Sequence, residues 1–201
     1  MTLALIDYGA GNLQSVANAL KAAGAQDVAI TADPDLVGTA DRIVLPGVGA
    51  FGACAAALRS VTGMIEALDQ RVRRDGAPFL GICVGMQLMA QIGEEMGEHD
   101  GLGWINGRIR RLVPTDATAK VPHMGWNDVR PTTPHPLIEA GEAYFLHSYA
   151  FEGDDVVATT DHAGAVVAAI ARDNMAGVQF HPEKSQRYGL ELLKRFLTWR
   201  P

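Results

Sequence analysis

The 201-residue chain is 48% hydrophobic and carries a net charge of −6, from 17 basic and 23 acidic side chains. That composition supplies a sizeable buried core and excludes the broad basic surface that nucleic-acid binding needs. No apolar run reaches the length of a bilayer span, so no membrane association is expected; two cysteines, Cys54 and Cys83, make neither a disulfide framework nor a zinc set, so a reducing, cytoplasmic setting without a metal is the expectation.

The opening MTLALIDYG has no basic segment and reads as a buried strand rather than a signal peptide. NLQSVANALKAAG follows with amphipathic helical spacing and is closed by Gly24. DVAIT is a second strand, and DRIVLPG a third that Pro46 and Gly47 cut off. A helical stretch is predicted from about Ala53 to Asp75, broken near Gly63; RVRR within it reads as a solvated face. APFLGI is the next strand and VGMQLMAQIG the next helix. Apolar strands alternating with helices predict a parallel sheet covered on both faces.

The second half reads differently. GRIRRLV, HMGWNDV, AYFLHSYAF, VVATT, VVAAIARD and MAGVQF are predicted strands, and QRYGLELLKRFLTW a terminal helix, while the stretch 93–103 is the least specified. The predicted fold is α/β: a central, mostly parallel sheet flanked by helices, with an added antiparallel region, as a single domain over residues 1–201.

Cys83 stands between Gly81 and Gly85, in the order strand, G-x-C-x-G, helix. That is a nucleophile elbow with cysteine in place of serine: a tight strand-to-helix turn that lifts the side chain off the sheet. A helix beginning there would favour thiolate, and the Val84 N–H would face a developing oxyanion. The bland alternative is a small apolar residue at a crowded turn, the role assigned to Cys54. Among six histidines, His181 in GVQFHPEKS ends an apolar run. If the extended geometry continues past Pro182, Glu183 lies on the same side as His181 and can orient its ring. Cys, His and Glu so arranged form an acyl-transfer triad. PGVGAFG at 46–52 can aim a second backbone N–H at the oxyanion; it also matches G-x-G-x-x-G, but a dinucleotide loop belongs on the first strand, with an acid ending the next, and here the next strand ends in Cys83. No cofactor is therefore expected.

GICVGMQ, followed much later by HPEKS, resembles the class I (triad) glutamine amidotransferases; DYGAGNLQS, LPGVGAFG, PHMGWN and HPEKSQ narrow the resemblance to the glutaminase subunits of imidazole glycerol phosphate synthases. It spans nearly the whole chain. It implies that Cys83 attacks the side-chain amide of glutamine, and that Val84 and the Val48–Gly49 peptide hold the oxyanion. It further implies that His181 transfers protons and Glu183 orients it. Gln87, one helical turn beyond Cys83, and the backbone of His147, Ser148 and Tyr149 hold the substrate. Ammonia passes to a separate (β/α)8-barrel synthase subunit in a heterodimer, which Asn12, Met124, Trp126 and Lys184 contact.

Read without the resemblance, Met124 and Trp126 are core strand residues and Asn12 a turn or cap residue. Lys184 faces solvent or a partner. His123 and His135 receive no role, and His147 lacks the carboxylate two residues on that a base would use. Two rival classes remain open: a different triad hydrolase on the same fold, such as a γ-glutamyl hydrolase, and a non-enzymatic thiol sensor built on Cys83.

Overall fold

A computed structural model of the protein describes residues 1–116 and 119–201. The first half alternates as its sequence predicts: β1 (Thr2–Ile6), α1 (Leu13–Ala22), β2 (Asp27–Thr31), α2 (Pro34–Thr39), β3 (Arg42–Gly47), α3 (Phe51–Ser60), α4 (Met64–Leu68), β4 (Phe79–Cys83) and α5 (Val84–Gln87). The apolar runs of β1, β3 and β4 carry no alternation because both faces of the sheet are covered; Leu3 to Ile6 have no solvent exposure at all. Gly63, at φ +80°, breaks the helical stretch, and α4 continues as a π-helical turn over Asp69–Arg74. Helix α2, which the sequence reading left unassigned, starts where the Asp33 side chain accepts from the Asp35 N–H with Pro34 in the first turn.

Beyond α5 come β5 (Ile92–Gly93), β6 (His99–Asp100), β7 (Gly107–Arg111), β8 (His123–Pro131), β9 (Gly141–His147), β10 (Tyr149–Gly153), β11 (Val156–Asp161), β12 (Ala165–Arg172), β13 (Met175–Val178), a 3₁₀ turn at Pro182–Lys184, and α6 (Gln186–Thr198). Among the described residues, nine strands form one sheet in the order β2-β1-β3-β4-β13-β12-β11-β8-β9, parallel from β2 to β13 and antiparallel beyond. The fold is thus α/β, and the added region comes in two parts: an antiparallel extension of the main sheet and a separate sheet, β10-β7-β5-β6, antiparallel except for its β5–β7 pair. Helix α6 buries Gly189, Leu192, Leu193, Phe196 and Leu197, one stripe at helical spacing, and packs with α1.

Two predicted elements need correction. VGMQLMAQIG is not one helix: α5 ends after a single turn. The carbonyls of Leu88, Met89 and Ala90 are taken by the N–H groups of Leu102, Trp104 and Gly103, so a loop from outside the helix replaces its next turn. AYFLHSYAF is two strands, β9 and β10, which part at Ser148 and join different sheets.

Candidate active site

Three parallel strands end side by side. Gly47, at the end of β3, pairs with Cys83 at the end of β4, and Val178 of β13 pairs with Ile82. The PGVG loop, the cysteine elbow and His181 follow these three ends, so residues far apart in sequence meet at the carboxyl edge of the sheet, where α/β folds bind ligands.

Cys83 has φ +53° and ψ −112°, a conformation that non-glycine residues avoid. Its neighbours show why the elbow is bracketed by glycine. A Cβ on Gly85 would overlap the Leu45 carbonyl oxygen, and one on Gly81 would crowd the Gly85 carbonyl. Because α5 is one turn long, it lacks the macrodipole that a full helix would offer the sulfur; what remains is the Val84 N–H, a first-turn donor without an intrahelical acceptor. In the PGVG loop, the buried Tyr8 hydroxyl donates to the Pro46 carbonyl (2.8 Å), and the Cys54 thiol donates to the Val48 carbonyl (3.4 Å), so Cys54 is buried but not purely apolar in role. Gly49, at φ +108°, occupies the left-handed region that favours glycine.

The His181 Nδ1 lies 2.8 Å from Glu183 Oε1, and the two side chains are only 4% and 2% exposed. Extended alternation, the expected cause, is not how they meet. Pro182 to Lys184 form a 3₁₀ turn, and the turn folds the carboxylate back onto the ring. Burial lowers the affinity of His181 for a proton, but hydrogen bonds to Cys83 and Glu183 and their negative charges outweigh it and push the pKa up to about 9. With Nδ1 on the carboxylate, Nε2 is the nitrogen left for the sulfur.

Cys83 and His181 line one pocket of about 300 Å³, with Val48, Gly49, Val84 and Gln87. His147, Ser148, Tyr149 and Lys184 complete the sequence-predicted residues found there. His147 is no base: burial first, then the nearby His162 and His181, lower its pKa to about 4 although the Tyr149 carbonyl accepts from its Nδ1. Met124 and Trp126 do not line the pocket, and the reading of them as core is corrected: they are 60% and 47% exposed. Strand β8 buries His123 and Val129 and turns alternate residues outward. Met124 pairs with Leu146, and Trp126 with Tyr144, whose ring lies 5.8 Å from Lys184 Nζ. With Val48 (43% exposed) and Leu146 (37%), these residues make an apolar patch beside the pocket mouth. Asn12 is exposed at the N-cap of α1, where its side chain makes no capping bond.

Two site residues escaped the sequence reading. Glu95 lines the pocket and accepts from the Phe51 N–H at the start of α3 (2.7 Å); it lies in the stretch 93–103, which carries no motif. Gln179 is fully buried and donates through Nε2 to the Cys83 sulfur at 3.7 Å. Its position two residues before His181, at the end of the predicted strand MAGVQF, was a readable signal.

The family described as glutamine amidotransferase class-I matches residues 4–199. A relative named imidazole glycerol phosphate synthase subunit HisH, from Zymomonas mobilis subsp. mobilis, is 61% identical over 206 residues, covering 100% of this chain and 97% of its own. The subunit of the same name from Caulobacter vibrioides is 52% identical over 212 residues, covering 100% and 99%. Among solved structures, a chain of PurLQS from Thermotoga maritima superposes with a TM-score of 0.76 at 18% identity, covering 98% of this chain and 97% of that one. A second solved glutamine amidotransferase gives 0.76 at 17% identity, covering 98% of each chain. At such identities the structural likeness speaks for the fold alone.

Proposed function

The chain belongs to the class I glutamine amidotransferases, in the branch of its HisH relatives, and from that membership we propose that it is the glutaminase subunit of an imidazole glycerol phosphate synthase. It hydrolyses glutamine to glutamate and ammonia and delivers the ammonia to a (β/α)8-barrel subunit. There the ammonia enters the lyase step that yields imidazole glycerol phosphate and aminoimidazole carboxamide ribotide in histidine biosynthesis, in the cytoplasm. The whole chain, 1–201, serves as one glutaminase domain.

The Cys83 thiol passes its proton to His181 and the sulfur attacks the glutamine amide carbon. A C–S bond forms while the carbonyl π electrons move to oxygen, where the N–H of Val84 and one from the Val48–Gly49 peptide meet them. Donors of this kind are worth roughly 3 kcal/mol each. Protonated His181 gives its proton to the amide nitrogen, the C–N bond breaks, and ammonia leaves a γ-glutamyl thioester. His181 then takes a proton from water, which attacks the thioester; the C–S bond breaks, glutamate departs and the proton returns to the sulfur. Glu183 keeps the ring oriented throughout. Glu95, the pocket-lining carboxylate outside the triad, suits the substrate ammonium group. The exposed patch of Met124, Trp126, Leu146 and Val48 beside the mouth suits a partner that covers the pocket and receives ammonia there.

The observation that carries this reading is the buried Cys83–His181–Glu183 line at the strand ends, with Cys83 and His181 facing one pocket. Glutamine hydrolysis measured with and without a barrel subunit tests it, together with a γ-glutamyl-directed inactivator mapped by mass spectrometry. Partner-stimulated turnover and label on Cys83 are expected. Label elsewhere, or no turnover with the partner present, would refute it.

A further inference from the structure

Two hydrogen-bond runs meet at the Tyr149 carbonyl: one reaches it from Asn127 through two histidines, and the other leads from Gln87 to the Cys83 sulfur. At the outer end of the first, the Asn127 Nδ2 donates to the Asp161 carbonyl (2.8 Å) and lies 3.0 Å from His123 Nε2. Asn127 Oδ1 is engaged by the Asp128 N–H, so the amide meets His123 as a donor. His123 Nε2 is therefore an acceptor, and the proton of the neutral ring sits on Nδ1. That nitrogen lies 3.1 Å from His147 Nε2, which must accept, and His147 Nδ1 then donates to the Tyr149 carbonyl at 2.9 Å. A carbonyl only accepts, so the direction is fixed from both ends.

The Tyr149 carbonyl also accepts from Gln87 Nε2 (3.0 Å), which gives its other hydrogen to Gln179 Oε1 (3.0 Å). Both hydrogens of Gln87 are thus spent inside the protein, leaving Oε1 as the atom it can present to a ligand. With its oxygen occupied, Gln179 turns Nε2 toward Cys83 Sγ. His123, His147, Gln87 and Gln179 are all buried, so a reversed amide or tautomer anywhere would set donor against donor or acceptor against acceptor out of reach of water.

We propose that Gln179 is a catalytic residue that donates a hydrogen bond to the Cys83 sulfur, and that His123 and His147 are positioning residues whose fixed Nδ1–H tautomers hold the Tyr149 carbonyl, the shared acceptor that orients the Gln87 and Gln179 amides. A proton added to either imidazole would point at another N–H. The pKa of His123 is accordingly lowered to about 3, by burial first and then by His147 and His162. His123 is stacked between Phe145 and His162, at 4.8 and 4.1 Å between ring centroids. The titratable groups facing the pair are His162 and His181, both of which oppose a further positive charge. The relay therefore stays neutral while His181 beside it carries the catalytic proton. Only the kinetic consequence rests on the glutaminase reading.

The test uses the full chain. Nitrogen NMR on ¹⁵N-histidine-labelled protein should show His123 and His147 as neutral Nδ1–H tautomers, without titration, from about pH 5 to 8. An Nε2–H tautomer or a titration on either ring in that range overturns the relay. Iodoacetamide alkylation of Cys83 at neutral pH, followed by mass spectrometry, should slow about tenfold in Gln179→Leu and at least as much in the near-isosteric Gln179→Glu. Unchanged alkylation in folded Gln179→Glu overturns the donor role, because packing alone tolerates glutamate. With the synthase subunit present, Gln179→Leu should lower kcat with KM little changed, and His123→Leu should raise KM for glutamine. If wild type does not hydrolyse glutamine at all, the functional reading fails, while the NMR and alkylation results still decide the relay.

Discussion

Glu183 holds His181 through one carboxylate oxygen, Oε1 at 2.8 Å from Nδ1, while its buried Oε2 has no hydrogen-bond partner among the described residues. The pairing has a consequence for stability. The pKa of His181 in the folded chain is about 9, against 6.5 for an unconstrained imidazole. Being raised, it contributes stability that is fully present below pH 6.5 and lost as pH rises through 9. The melting temperature should therefore fall across that window, and calorimetry should show a shallower fall in Glu183→Gln. Glu183→Gln can still accept at Oε1 and should retain more glutaminase activity than Glu183→Ala, which leaves the ring without an orienting partner.

Cys83 carries backbone strain as well as the sulfur. A residue held at φ +53° costs roughly 1 to 3 kcal/mol, which glycine does not incur. Both Cys83→Ala and Cys83→Gly should abolish glutamine turnover. In urea denaturation, Cys83→Gly should prove more stable than Cys83→Ala by about 1 kcal/mol. Equal stability would show that the elbow relaxes once the thiol is gone.

Gly85 has no such freedom. Any side chain there would enter the Leu45 carbonyl on the adjoining strand, so β3 and the elbow must separate to admit it. Gly85→Ala should cost more than about 3 kcal/mol, with loss of soluble protein or a large drop in melting temperature. Gly9→Ala, whose Cβ would meet nothing within 4 Å, should cost only the strain of its positive φ, about 1 kcal/mol.

The patch at the pocket mouth should behave as an interface rather than a core. Trp126→Ala and Met124→Ala should leave the melting temperature within about 2 °C of wild type, since both side chains are exposed. Trp126→Ala should weaken binding of the barrel subunit by at least about tenfold in titration calorimetry, as loss of a central aromatic anchor does. Unaltered affinity in both variants would place the partner on another face.

The parallel core and the elbow were legible because their causes are local. An apolar run without alternation states that both faces of its strand are covered. G-x-C-x-G records the backbone that crowds the turn on either side of Cys83. Pro182, next to His181, marked a constrained segment, although the sequence reading took it as extended where the chain makes a 3₁₀ turn that brings Glu183 to His181. VGMQLMAQIG has helical spacing throughout, yet its last carbonyls are taken by a loop fifteen or so residues away, and no local pattern shows such a competitor. AYFLHSYAF is apolar enough for one strand, but two sheets claim its halves.

The same division runs through the site. The sequence by itself singled out Cys83, His181 and Glu183 as the proposed triad, because each sits in a short stretch whose residue types already constrain the backbone. Only the tertiary structure decided that Glu95 and Gln179 join them, that Met124 and Trp126 face outward, and that the His123–His147 pair shares the Tyr149 carbonyl with the Gln87–Gln179–Cys83 run. A hydrogen bond takes its direction from both partners, and here the partners lie on different strands. Neither the sign of a contact nor the side of a sheet it falls on exists until the strands are paired.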